Sequence, residues 1–286
     1  MANASELKPT DGTTAIGGLR FHYLDWGSPR RPLVVLLHGG LQTAHSWDEV
    51  SRDLAAENHV LALDQRGHGD SDWASDGDYS LEAHLRDIHG FVEGLGLKSF
   101  ILMGLSMGGR NAISYTATHP ERVRALVIVD IGPETKREGR ENIRRFVSES
   151  EELGSFEAFV ERAHRFNPRR SLENLRKRLR WNLKQLPNGR WTWKYDQRFR
   201  TSEFELARQR VDLWPYVRRV QCPAMLVRGA ESDVLSGDAA KKVVDTIPGC
   251  GYAVVEKAGH TVMGDNPEGF LAAVRPFLQG LKARRS

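Results

Sequence analysis

The chain has 286 residues, 40% of them hydrophobic and 27% charged, with a formal net charge of only +4. That composition is ordinary for a globular protein, long enough for one large α/β domain and too evenly charged to imply a nucleic-acid partner. It holds no run near the roughly 18 apolar residues of a membrane span, no basic-then-apolar leader pattern at its start, and no CxxC or zinc spacing around Cys222 and Cys250. The expectation is a cytoplasmic protein with reduced thiols, no metal and no membrane contact.

Apolar and amphipathic stretches alternate along the first half. Leu19–Trp26 reads as a strand or hairpin. Leu33–Leu37 (LVVLL) ends at His38-Gly39-Gly40, and Val60–Leu63 ends at Asp64-Gln65-Arg66-Gly67. A helical pattern follows over Leu81–Leu95. Phe100–Met103 then leads into Gly104-Leu105-Ser106-Met107-Gly108-Gly109, with a helix over Gly109–His119 closed by Pro120. Ala125–Val129 (ALVIV) ends at Asp130. After a long interval, Ala224–Val227 ends at Arg228-Gly229, Tyr252–Val255 leads toward His260, and Asn266–Lys282 reads as a closing helix kinked near Pro276. Strands written as unbroken apolar runs are buried on both faces, and their alternation with helices predicts a doubly wound parallel sheet.

The interval from about 133 to 214 breaks this rhythm. Its pattern is helical, with 20 Lys and Arg against 13 Asp and Glu, so it carries +7 while the rest of the chain is near −3. It holds Trp181, Trp191, Trp193 and Trp214, four of the seven tryptophans. The segment reads as a helical insertion after the sixth strand, lying over the carboxyl ends of the strands. Its basic residues read first as a solvated face. Steering of an anionic substrate is the functional alternative, and nucleic-acid binding has no motif to support it.

Ligands of open parallel sheets bind beyond the carboxyl ends of the strands, and the notable polar residues fall there. Gly104-Leu105-Ser106-Met107-Gly108 fits G-x-S-x-G between a strand and a helix. Glycines on either side let a tight turn hold the Ser106 hydroxyl exposed. A hydroxyl is a poor nucleophile without a base. His260, in Ala258-Gly259-His260 after the last strand, suits that role. Asp233, on the loop after Ala224–Val227, and Asp130, directly after Ala125–Val129, could each orient the imidazole; Asp233 is the first choice and Asp130 the alternative. The backbone N–H of Met107 follows the nucleophile and would stabilise an oxyanion, with Gly40 as the second donor.

Five motifs in this order, HGG at 38–40, DQRGHGDSD at 64–72, GLSMGG at 104–109, RGAESD at 228–233 and AGH at 258–260, make the chain resemble the α/β-hydrolase family from about Leu19 to Leu281. The resemblance implies a mostly parallel eight-stranded sheet flanked by helices, with core residues 1–132 and 215–286 and a helical cap over 133–214. It implies nucleophile Ser106, base His260, acid Asp233 and oxyanion donors Gly40 and Met107. Some members take the acid from the loop after the sixth strand, which is Asp130 in this sequence. Asp64, Arg66 and His68 match a structural loop of the family and read as scaffold.

Serine at the nucleophile position argues against dehalogenases and epoxide hydrolases, which carry a carboxylate there. The reading is a cofactor-free hydrolase of a small-molecule ester, lactone or amide, as a monomer or a homodimer. A carbon–carbon bond hydrolase of ring-cleavage products and a ligand-binding or signalling protein with an idle pocket are the alternatives. Trp47, Arg110 and Trp181 are candidate substrate contacts, each with a plainer reading as core or helix surface. His45 and Ser46 read as caps. The basic cap raises the expectation of an acidic substrate, such as a carboxylate-bearing ester or amide.

Overall fold

Gly17 and Gly18, both at positive φ (57° and 84°), turn the chain between strands β1 (Thr10–Ile16) and β2 (Leu19–Gly27). A two-residue hairpin turn needs that left-handed backbone, which glycine adopts freely. The computed structural model describes residues 7–201, 203–204 and 211–283. Beyond the hairpin come β3 (Leu33–Leu37), β4 (His59–Leu63), β5 (Phe100–Leu105), β6 (Val123–Val129), β9 (Ala224–Gly229) and β10 (Gly251–Val255). Together they form one eight-stranded sheet in the order β1-β2-β4-β3-β5-β6-β9-β10. The hairpin pairs antiparallel with itself and with β4, and every other pairing is parallel. Each strand read from an apolar run lies within about two residues of its expected limits.

The central strands are buried along their length, as unbroken apolar runs require. Helices α1 (Asp48–Leu54) and the long C-terminal α10 (Pro267–Ala283) cover one face, where Trp26, Trp47, Val50 and Phe270 are sealed from water. Helices α2 (Leu81–Gly94), α3 (Met107–Thr118) and α8 (Gly237–Thr246) cover the other, around Ile88, Phe91, Ile113 and Val243. Helix α10 continues through Pro276, so the expected end of the helix stays past that residue. Cys222 and Cys250 are both free thiols.

The insertion after β6 holds α4 (Arg137–Ser148), α5 (Phe156–Phe166) and α6 (Leu172–Asn182), and also two short antiparallel strands, β7 (Leu183–Gln185) and β8 (Trp191–Trp193). The expectation of a purely helical insertion is therefore corrected. Asn188-Gly189 makes the turn, with Gly189 at φ 81° and the Asn188 side chain accepting from the Arg190 N–H. Asn-Gly beside Trp-Thr-Trp is a hairpin signal that the surrounding charge obscured. Phe159, Val160, Leu179, Trp193 and Phe199 give this segment its own apolar cluster, which reaches Ala74 and Tyr79 of the loop after β4. A single-turn helix α7 (Trp214–Val217) leads back to β9. Among the described residues, no helix is long and apolar enough to cross a membrane.

Candidate active site

Ser106 sits between β5 and α3 at φ 52° and ψ −113°, a backbone state an L-residue adopts only when its surroundings impose it. The surroundings do so by contact. A Cβ on Gly104 would overlap the carbonyl of Gly108, and one on Gly108 would overlap the carbonyls of Leu37 and His38. The turn is therefore closed by glycine backbone lying against backbone. Ser106 N–H donates to Val129 O (3.1 Å), and the Arg110 N–H donates to Ser106 O (2.9 Å), which ties the turn to β6 and to the helix.

The partner of His260 is Asp130. The Nδ1 of His260 lies 2.8 Å from Asp130 Oδ2. The Asp130 carboxylate is fully buried and also accepts from the Gly229 N–H (3.0 Å) and the Ser232 hydroxyl (2.5 Å). Asp130 itself stands at φ 50°, which bends it sharply off the end of β6. Asp233, the first choice from the sequence, is corrected. Its Oδ2 accepts from Asn142 Nδ2 of α4 at 2.9 Å, so its carboxylate faces the insertion. The Ser232 hydroxyl, one residue earlier, is what the β9 loop contributes to the acid. Because Nδ1–H is directed at Asp130, Nε2 of His260 is left as the basic nitrogen.

Met107 opens α3, where the backbone N–H groups have no partner inside the helix. Gly40 lies against its side chain, 3.9 Å from Met107 Cβ to where a Gly40 Cβ would stand. Both residues line a cavity of about 490 Å³ together with Ser106 and His260. The loop bearing Gly40 is held by buried histidines. His68 Nε2 accepts from the Leu41 N–H (3.1 Å) while its Nδ1 lies 2.9 Å from Arg66 O, and His38 Nε2 accepts from the Gln65 N–H (3.0 Å). Burial, the largest influence on each, pushes both pKa values below the ordinary histidine value, so both are neutral.

Three proposed substrate contacts stand elsewhere. Trp47 is fully buried, edge-on to Phe270 with ring centroids 5.9 Å apart, and belongs to the core. Trp181 stacks on His45 (3.8 Å) and remains 39% exposed. Arg110 follows the elbow on α3 without lining the cavity. What the sequence did not single out is the insertion's own contribution: Phe146, Phe166, Leu175, Leu179, Arg170 and Arg178 line the wall. Leu175 and Leu179, four residues apart on α6, were the available signal for an inward face.

Asp265 joins that wall to the histidine loop. Its carboxylate accepts from Asn167 Nδ2 (2.8 Å) and Arg170 Nε (2.7 Å) of the insertion, and from the Gly259 N–H (3.0 Å) and the Thr261 hydroxyl (3.0 Å) beside His260. Burial opposes ionisation of Asp265, but the Arg170 charge and these hydrogen bonds outweigh it and hold the pKa below the usual carboxylate value. His22, Asp64 and Asp70 also converge closely enough to hold a cation. Asp64 is nonetheless engaged as scaffold, accepting from the Ala44 and Asp70 N–H groups and lying 2.7 Å from His22 Nδ1, while Asp70 pairs with Lys194.

A family profile described as the alpha/beta hydrolase fold matches residues 32–267. The chain belongs to the α/β-hydrolase family. Esterase Rv0045c of Mycobacterium tuberculosis is 34% identical over 263 residues, covering 89% of this chain and 85% of that protein. The 2-(acetamidomethylene)succinate hydrolase of Mesorhizobium japonicum is 28% identical over 271 residues, with 92% and 93% covered. A crystal structure of an α/β hydrolase from Novosphingobium aromaticivorans superposes with a TM-score of 0.84 at 29% identity, covering 95% of this chain and 98% of that one. With relatives of this kind along nearly the whole chain, the protein is a hydrolase of the α/β-hydrolase family.

Proposed function

We propose that this hydrolase cleaves a small-molecule ester, lactone or amide through an acyl-enzyme on Ser106. The observation that carries the reading is the 2.8 Å contact between His260 Nδ1 and the buried Asp130 carboxylate, beside a serine on a strained turn in the same cavity. The Ser106 oxygen attacks the acyl carbon as His260 Nε2 takes its proton. The resulting imidazolium is stabilised by Asp130 and returns the proton to the leaving group. The backbone N–H groups of Gly40 and Met107 hold the oxyanion. Water, deprotonated by His260, then breaks the acyl–serine ester and releases the acid. Esterase Rv0045c, as a relative of similar length, supports the choice of an ester.

The test is hydrolysis of p-nitrophenyl esters from acetate to decanoate, with labelling by a fluorophosphonate. Ser106→Ala is expected to lose about 10⁵–10⁶-fold in kcat and all labelling. Equal turnover and labelling in wild type and Ser106→Ala would overturn the reading.

A further inference from the structure

Among the described residues, six arginines line the cavity against three carboxylates, Glu231, Asp233 and Asp265. Most of the six are engaged by the protein. Arg169 pairs with Glu231 (2.5 Å), and Arg170 with Asp265 (2.7 Å) and the Thr261 hydroxyl (2.8 Å). Arg140 donates to Thr135 O (2.5 Å) and Oγ1 (2.9 Å), Arg200 donates to Glu149 O, and Arg144 is exposed.

Arg178 differs. It projects from α6 between Leu175 and Leu179, and its Nη2 donates to the backbone carbonyl of Ser46 at 2.6 Å. Among the described residues, no carboxylate comes within 4.0 Å of it. The cation facing it is Arg170. A Cβ on Gly264, four residues after His260, would overlap Nη2 of Arg170 and Nη1 of Arg178 alike. Two guanidiniums thus lie over one glycine, and only Arg170 has its counterion. Burial above all, then the charge of Arg170, pulls the Arg178 pKa down to about 9, with Glu49, Asp265 and Asp48 acting against that pull. Its charge is under-compensated, and an anion entering the cavity relieves that.

We propose that Arg178 is the specificity residue of the site, binding a carboxylate carried on the acyl substrate. This rests on the serine-hydrolase reading for its chemistry, though not for its geometry. A guanidinium presents a planar fork that fits a carboxylate with two parallel hydrogen bonds. The Ser46 carbonyl, the Arg170 charge and the α6 backbone fix where that fork points. A neutral substrate of the same size leaves the half-buried cation without a counterion, so the site discriminates against it.

The experiment compares p-nitrophenyl butyrate with mono-p-nitrophenyl succinate, which differ by a methyl against a carboxylate. Wild type is expected to prefer the succinate half-ester by about 10-fold or more in kcat/KM. Arg178→Gln should lose about 10–100-fold on the half-ester, mainly in KM, and several-fold less on butyrate. Arg178→Lys, keeping charge without the fork, should recover part of that loss. Preference of the wild type for butyrate, a comparison that needs no variant, overturns the proposal. So do equal losses on the two esters in Arg178→Gln. Failure of the hydrolase reading looks different: Ser106→Ala stays as active as wild type, or neither ester is cleaved. In that event calorimetry of succinate with the full chain decides. Binding that Arg178→Gln removes upholds the carboxylate site, and no binding by wild type overturns it.

Discussion

The loops at the ends of β5, β6 and β10 and the insertion after β6 close the same cavity by different means. The loops are fixed by backbone. Glycines 104 and 108 lie against carbonyls, Ser106 and Asp130 are bent into left-handed conformations, and the Asp130 carboxylate is shut from water with its bonds filled. The insertion is fixed by side chains: Arg162 with Glu149, Arg176 with Glu157, Arg190 with Glu152, and Asn142 with Asp233. Backbone contact leaves almost no tolerance, while exposed ion pairs such as Arg176 with Glu157 and Arg190 with Glu152 contribute little each and can be exchanged; Arg162, buried at its guanidinium, is the firmer of these anchors. The parts assigned to bond cleavage therefore stand on the rigid side and the parts facing the rest of the substrate on the adjustable side.

The sharpest break between the two is expected at the two aspartates. Asp130→Asn should lower kcat by about 10⁴-fold by presenting the wrong hydrogen-bond partner to His260. Asp233→Asn should change it by less than about 5-fold, since only a bond to Asn142 is altered. Steady-state kinetics on the best p-nitrophenyl ester checks both, and a larger loss at Asp233 would return the acid role to it.

A second difference is electrical. The rigid side buries neutral histidines. His84 is pushed down to about 3, first by burial and then by the Arg66 charge, and His38 and His68 are lowered in the same direction. The unfolded chain binds these protons near pH 6.5 and the folded chain does not. Their stabilisation is thus complete above about pH 6.5 and is lost as the pH falls below it. His22 has the opposite sign: burial opposes its charge, but its bond to Asp64 raises the pKa, so its contribution is present below about 6.5 and fades as the pH rises through its folded value. His119 is lowered as well, chiefly by burial, so four histidines stand against one, and the urea midpoint should fall between pH 7.5 and 5, with His84 alone accounting for about 2 kcal/mol. An unchanged midpoint would mean these histidines are less buried than they stand.

The smallest effect is expected at Trp181, on the adjustable side. Trp181→Ala removes a stack on His45 from a partly exposed position, and should change stability by less than about 1 kcal/mol and kcat/KM by less than about 2-fold. Thermal unfolding and ester kinetics would show it, and a large rise in KM would bring Trp181 back to the substrate.

The same contrast explains what was legible in the amino-acid order. Strands buried on both faces must be apolar throughout, so β3 to β6 and β9 could be read off, and the elbow follows because its glycines have no substitute. The choice between Asp130 and Asp233 was not local. It depends on a turn at Asp130 and on the Ser232 hydroxyl reaching across from the next strand. The place of Trp47 in the core is not legible locally, because an aromatic near the oxyanion loop can face either way, and the cover of Phe270 comes from more than two hundred residues later. Arg178 has no signature in the sequence, since one arginine among many on a basic helix cannot be told apart until its neighbours' partners are known.

Asp265 has one further consequence. Two of the four donors on its carboxylate come from the insertion and two from the segment that carries His260. Lifting Asn167 and Arg170 outward would strip that carboxylate of half its donors, and a buried anion left so poorly matched would pull on Gly259 and Thr261. The wall that shapes the cavity and the segment that holds His260 are thus joined like two boards by a single dowel, and neither can shift without altering the other's hydrogen bonds.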